Sequence, residues 1–300
     1  MIEPRSPTFG QSSRASVRCC LAMALVASTA SCAGAVGSSG AEDKARRDVP
    51  VAICRRPLAA GDTTDTGAPR PEIYWRTLFP TFQGFGAPVD PATPDCVGEA
   101  LLASPGSAAQ APGAASAGDA TISPGDEGLQ LVWLRPIPVS ALTALGPLAV
   151  VRPRAAELDV YGIGAYRGSS RHSRFEFGKV GTTRVVLARD EACADVKPGV
   201  ECESVLSIYL VSGGRLTAAA RTSLERIQPG TMKDVGRVQS RLTTEPPVFD
   251  ATSVHIKEKL SVRDSGDEEV RRSEGERVFT LRGAELVPNV ESIWAQVGSR

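Results

Sequence analysis

"SVHIKEKLSVRDSGDEEVRRSEGERVFTLRG", Ser253–Gly283, decides the fold. Val254, Ile256, Leu260 and Val262 share one parity, and His255, Lys257, Lys259, Ser261 and Arg263 share the other. A period of two marks a strand with one face buried and the other in water. The charged run DSGDEE supplies a turn, and GERVFTLRGAELV returns with Phe279 and Leu281 on the inward parity. One inward position is polar, Glu258. A carboxylate buried alone costs several kcal/mol, so it needs a partner. Arg271 and Arg277 share the inward parity of the returning strand and are the candidates. A structural ion pair is the main expectation; the polar floor of a ligand cavity is the alternative.

Working outward, short apolar runs recur from Leu129 onward. They are LQLVWLR, PLAVVRPR, ELDVYGIGAYR, SRFEF, TTRVVLAR and SVLSIYLV, separated by turn residues. Gly162 and Gly164 predict bulges or bends in the third run. SGGRLTAAARTSLERI (Ser212–Ile227) fits either a helix stripe or one strand face, and the Gly213-Gly214 pair selects strand. Trp294 falls in a short C-terminal helix or cap over residues 291–297. Residues 129–300 therefore read as one antiparallel β domain, a curved meander or half-barrel, in a mainly β chain.

Upstream of it the texture changes. Residues 51–102 form an irregular segment bounded by Cys54 and Cys96, with Tyr74, Trp75, Phe79, Phe82 and Phe85 crowded together. Pro80, Gly84 and Gly86 argue against one continuous helix. So many aromatics must bury against the downstream domain; a ligand-facing cluster is the alternative. Residues 103–128 are Ala/Gly/Ser/Pro-rich and read as a disordered loop, and residues 33–50 as a flexible tether.

Residues 1–32 read as an export signal. In VRCCLAMALVASTASCAG (Val17–Gly34) a basic residue precedes a 12-residue uncharged run, Cys19–Ala30, then small residues. That run suits a signal core and is too short to span a bilayer. Its end, STASCAG, resembles the lipobox of bacterial lipoproteins, with Ala30 and Ser31 ahead of Cys32. The resemblance covers the export signal only. It implies lipidation at Cys32 and anchoring of the chain to a membrane through that lipid. Ala33, in place of an aspartate after the cysteine, implies the outer membrane. Thr29 stands where leucine is usual, which keeps ordinary cleavage, and a periplasmic or secreted product, as the alternative.

Of seven cysteines, Cys19 and Cys20 leave with the signal and Cys32 would carry lipid. Cys54, Cys96, Cys193 and Cys202 remain, an even set that reads as two disulfides in an oxidising compartment. Three connectivities are open, and sequence neighbours, Cys54–Cys96 and Cys193–Cys202, are the natural choice. The second pair would close a long loop around Pro198-Gly199.

Several function classes are disfavoured. Formal net charge is zero, and the 28 arginines and 6 lysines are scattered, which predicts no pull toward nucleic acid. His172 and His255 lack metal-ligand spacing, so neither a metal nor a cofactor is expected. Ser169, Ser170 and His172 are close in sequence only, and there is no GxSxG elbow, so no catalytic residue is assigned. YGIGAYRG lacks the third glycine and the helix of a dinucleotide loop. The expectation is a non-catalytic, lipid-anchored cell-envelope protein that acts as a binding or structural module. The alternatives are a carrier or sensor of an apolar ligand held in the curved sheet, and an envelope hydrolase without a recognisable motif. Its partners would be the membrane and an envelope protein or apolar ligand.

Overall fold

The computed structural model describes residues 51–90, 96, 98, 113–197 and 199–297. The expected export signal, Cys32, the expected tether and residues 103–112 of the expected loop lie outside them. The chain is mainly β, and its strands join into one open, curved sheet, antiparallel except for a single parallel bridge.

The first half holds β1 (Cys54–Pro57), β2 (Ala120–Pro124), β3 (Gln130–Leu134), β4 (Ile137–Pro138), β5 (Thr143–Pro153) and β6 (Glu157–Ser169). They run in the order β1-β6-β5-β3-β2, with β4 folded onto β5. LVWL and LAVV show no polar alternation because both faces of this sheet are covered. One face, Val132, Leu134, Ala149, Val151, Leu158 and Val160, packs on the helix α1 (Pro71–Leu78) and the aromatics around it. The other face, Leu131, Trp133, Leu148, Val150 and Tyr161, packs on Phe175, Val186, Ala188 and Tyr209 of the second half. A bulge between Val160 and Gly162 shifts the parity of β6, as the glycines there suggested.

Helix α1 begins with Pro71 at its first turn and Glu72 beside it, both favourable at an N-terminus. It stops at Leu78 because Phe79 precedes Pro80, which disfavours helical backbone at that residue. Tyr74, Trp75 and Phe79 are buried, and Phe82 and Phe85 pack at the margin. Trp75 stacks between Phe79 and Phe82 at 5.8 and 5.6 Å. The aromatic cluster is thus core. The Cys54–Cys96 disulfide ties this segment to β1.

The second half holds β7 (Arg174–Val180), β8 (Thr183–Val196), β9 (Gly199–Ser212), β10 (Arg215–Met232), β11 (Gly236–Thr244), β12 (Val248–Phe249), β13 (Ser253–Asp264), β14 (Glu269–Arg282) and β15 (Glu285–Pro288). Pairing runs β7-β8-β9-β10-β11-β13-β14-β15, with β12 on β13. Strand β10 joins the halves: it pairs β9, then β11, and touches β6 at Arg215↔Ile163. The meander curls until Val185, Leu187, Leu206 and Ile208 meet Val254, Ile256 and Phe279. The curl is locked where the β7–β8 turn meets the β12–β13 turn, with Gly181 N–H donating to the Asp250 carbonyl at 2.8 Å. Gly181 has φ +60°, and a Cβ there would overlap the Ala251 carbonyl, so a larger residue fits neither the turn nor the contact.

Two expectations are corrected. Residues 113–128 are ordered: Ser116 and Asp119 form a capping box, and β2 pairs antiparallel with β3 from Ala120↔Leu134 to Pro124↔Gln130. As an edge strand β2 needs one hydrogen-bonded partner and little burial, so its composition gave no apolar signal; Ile122 is exposed. The β region accordingly begins well before Leu129. Second, Cys193–Cys202 closes no irregular loop. The β8–β9 ladder runs unbroken from Val185↔Leu210 to Val196↔Gly199, and the disulfide is a cross-strand rivet within it. Residues 215–227 are strand, within β10.

Candidate functional site

The period-two pattern of β13 places Glu258 inside the curl, 2 % exposed, between Ile256 and Leu260. Arg277 Nη1 lies 3.1 Å from Glu258 Oε1 and also donates to Thr222 Oγ1 of β10 at 2.9 Å. Arg277 Nε has no hydrogen-bond partner among the described residues; the guanidinium lies over the Phe279 ring, 4.7 Å from its centroid. The second carboxylate oxygen, Oε2, accepts from Ser292 Oγ at 3.0 Å and from the Ile293 N–H at 2.9 Å. Those donors are the N-cap and first residue of a 3-10 turn, Ile293–Gln296, which packs beside β13 and β14. Glu258 faces Gly275 in register, and a Cβ at Gly275 would come within 2.9 Å of Ile293, so the missing side chain makes room for the turn.

Arg271 is corrected as a partner of Glu258. It sits opposite Val262, four residues along the strand from Gly275, where Arg277 is only two away. It donates instead to Gln296 Oε1 at 3.1 Å, on the same C-terminal turn. Arg226 adds a third hold: it pairs with Glu201 at 2.8 Å and lies over the Trp294 ring at 4.9 Å. Glu258, Arg271 and Arg226 therefore tether the C-terminal turn to the sheet. A fully desolvated carboxylate with three partners is stable only while all three stay in place.

On the outer face, His255 links two carboxylates. Its Nε2 is 2.9 Å from Asp250 Oδ2 and 3.1 Å from Ser253 Oγ, and its Nδ1 is 3.0 Å from Glu276 Oε1. Serine, histidine and glutamate follow one another here in the order of a nucleophile, base and orienter. The fourth member changes the chemistry. Ser253 Oγ donates to Asp250 Oδ2 at 2.7 Å, and the N–H groups of Thr252 and Ser253 both go to Asp250 Oδ1. The Glu276 and Asp250 contacts raise the imidazole pKa above its ordinary value. The Asp250 carboxyl is held well below the usual carboxylate range, first by Ser253 and the Thr252 N–H and then by His255. The cluster caps the β12–β13 turn and ties it to β14.

A second buried acid, Asp159, lies on β6 at the joint between segment and sheet. Arg154 Nε donates to it at 2.7 Å, Tyr161 Oη at 3.2 Å, and Arg55 Nε of β1 stands 2.9 Å away. ELDVYGIGAYR hid this site, because a strand buried on both faces gives no parity by which to single out a polar residue. Ser169 and Ser173 are brought together, but around Asp190: Ser169 N–H and Ser173 Oγ donate to its Oδ1 at 2.9 and 3.2 Å. His172 contributes its backbone N–H to Ser169 Oγ at 3.1 Å.

Among the described residues no cluster of three or more metal-ligating side chains occurs, and no helix is long and apolar enough to cross a membrane. The larger depressions are open grooves: about 540 Å³ lined by Lys257, Glu258, Lys259, Glu274 and Glu276, and about 490 Å³ lined by Arg55, Arg56 and Arg76 beside Cys54–Cys96. Two disulfides suggest a non-cytoplasmic compartment. No protein-family model matches this chain, and comparison with curated proteins and with solved structures finds no match.

Proposed function

We propose that this chain is a non-catalytic, lipid-anchored protein of the bacterial cell envelope, held at the outer membrane through Cys32 and acting as a binding or structural module. The observation that carries the reading is the cysteine pairing. All four cysteines downstream of Cys32 are joined, Cys54 to Cys96 and Cys193 to Cys202, so Cys32 is the odd thiol of the exported chain. An oxidising compartment supports both bonds, and an acylated Cys32 leaves no spare thiol. The filled interior supports a module over a carrier: Trp133, Tyr166 and Phe175 meet edge to face at 5.0–5.6 Å where an apolar ligand would sit. The polar clusters serve as ties: Glu258 anchors the C-terminal turn and Asp250 caps a turn.

Expression in a Gram-negative host tests this. Mass spectrometry of the mature N-terminal peptide should find Cys32 as residue one, carrying a diacylglyceryl group and an N-acyl chain. Several acyl chains, at about 0.8 kcal/mol per buried methylene, make a stable anchor. Cys32→Ser should move the protein from the outer-membrane fraction to the periplasm or medium. An unacylated N-terminus in the membrane fraction would overturn the anchor.

A further inference from the structure

We infer that the open edge of β8, from Glu191 to Asp195, receives an extended basic segment of a partner protein as an added strand. Strand β7 covers the outer edge of β8 only from Thr183 to Arg189, while β9 covers its inner edge from Val185 to Val196. Among the described residues nothing pairs with the outer side of Glu191 to Asp195, and all five are exposed. The Cα atoms of Cys193 and Cys202 are 4.0 Å apart, the closer spacing of a non-hydrogen-bonded antiparallel pair. The N–H and C=O groups of Glu191, Cys193 and Asp195 therefore point away from β9, toward the open side. Asp190 Oδ1 closes the Glu191 N–H at 3.0 Å. Its carbonyl and both groups of Cys193 and Asp195 remain as a template for a strand.

This edge is also rigid. No buried core cluster reaches it, yet a disulfide fixes it to β9. A backbone ordered in advance saves the partner part of the ordering cost on binding. The charge then selects the occupant. Glu191, Cys193 and Asp195 project on one face, so an added antiparallel strand sets its residues i, i+2 and i+4 directly across from them. Basic side chains at i and i+4, with a small residue between them beside the disulfide, match this row. A second copy matches it poorly: two β8 edges paired about Cys193 set Glu191 across from Asp195 twice, and like charges directly opposite repel. The inference rests on the binding-module reading but not on the lipid, so failure of peptide binding and failure of acylation would be seen separately.

The test uses the full mature chain and two nine-residue peptides in a Thr/Val frame, one with lysines four apart and alanine midway, the other with glutamates in their place. The lysine peptide should slow amide exchange at Cys193 and Asp195, bind more weakly at 200 mM than at 50 mM salt, and lose about tenfold in affinity to Glu191→Gln/Asp195→Asn. Asp195→Pro removes an outward N–H while leaving the β9 ladder intact, and should abolish binding with the thermal midpoint and the disulfide retained. Equal binding of both peptides, or no protection of these amides at millimolar lysine peptide, would overturn the proposal. So would protection that rises with protein concentration alone, since a second copy would then hold the edge.

Discussion

Every side chain from Leu131 to Leu134 and from Leu148 to Val151 is shut away from water, whereas every one from Glu191 to Asp195 is exposed, although all belong to one sheet. The first region is stabilised by packing on both faces, at about 25 cal/mol per Å² of apolar surface buried. The second has only its ladder and one covalent bond. Ordering a residue costs about 1–2 kcal/mol, and a backbone hydrogen bond returns about 1 kcal/mol net, so a solvated ladder by itself roughly breaks even at best. Closing a ten-residue loop with a disulfide adds about 2.7 kcal/mol in the chain-entropy model, enough to tip the balance. The β13–β14 region lies between the two, with one packed face and a buried polar knot.

The contrast can be broken most sharply at Trp133, fully buried between Tyr166 and Phe175. Trp133→Ala should cost about 3–5 kcal/mol in urea unfolding, while Val200→Ser at the ribbon tip should stay within about 0.5 kcal/mol. Similar values for both would remove the distinction between the regions. Next comes the knot. Glu258→Ala leaves Arg277 buried without its carboxylate and frees the donors of Ser292 and Ile293, at a cost of about 3 kcal/mol. It should also expose Trp294, read as a red shift in its fluorescence. Glu258→Leu with Arg277→Met should recover much of the stability but not the fluorescence, which separates the ion pair from the anchoring of the turn. Gly275→Val should dislodge the same turn at a smaller cost, since Ile293 is the side chain displaced.

The smallest effect is at His255, whose exposed cluster is screened by solvent. Its NMR titration midpoint should lie above the ordinary 6.5. With the folded pKa raised, its contribution to stability is complete below the unfolded value and is lost as pH rises through the folded one. Asp250 works in the opposite sense: its contribution is present above the unfolded carboxylate value and lost as pH falls toward the depressed folded one. Glu276→Gln should bring the histidine midpoint down, and no movement would remove the Glu276 contact as its cause.

The same contrast explains what the amino-acid sequence disclosed. Strands with one wet face wrote their parity plainly: Val254, Ile256, Glu258, Leu260 and Val262 are all buried, and that parity narrowed the partner of Glu258 to Arg271 or Arg277, of which the register selects Arg277. The other half of the Glu258 site was hidden, because Ser292 lies 34 residues away in an aperiodic turn. Asp159 was hidden by burial on both faces, and β2 by the reverse, an edge strand with almost nothing buried. That the four cysteines pair was legible from their even count, with neighbour pairing the natural choice among three connectivities, but the ladder around Cys193–Cys202 was not. Acidic and alanine-rich residues carry no strand signal where the partner is only another exposed strand.

Amide hydrogen exchange before and after reduction of the protein tests most directly whether these regions are held by different means. With Cys193–Cys202 intact, amides of β8 and β9 that face one another near the disulfide should be protected. Reduction should abolish that protection while leaving β3 and β5 unchanged. Equal loss across both regions, or no loss at the ribbon, would contradict the account.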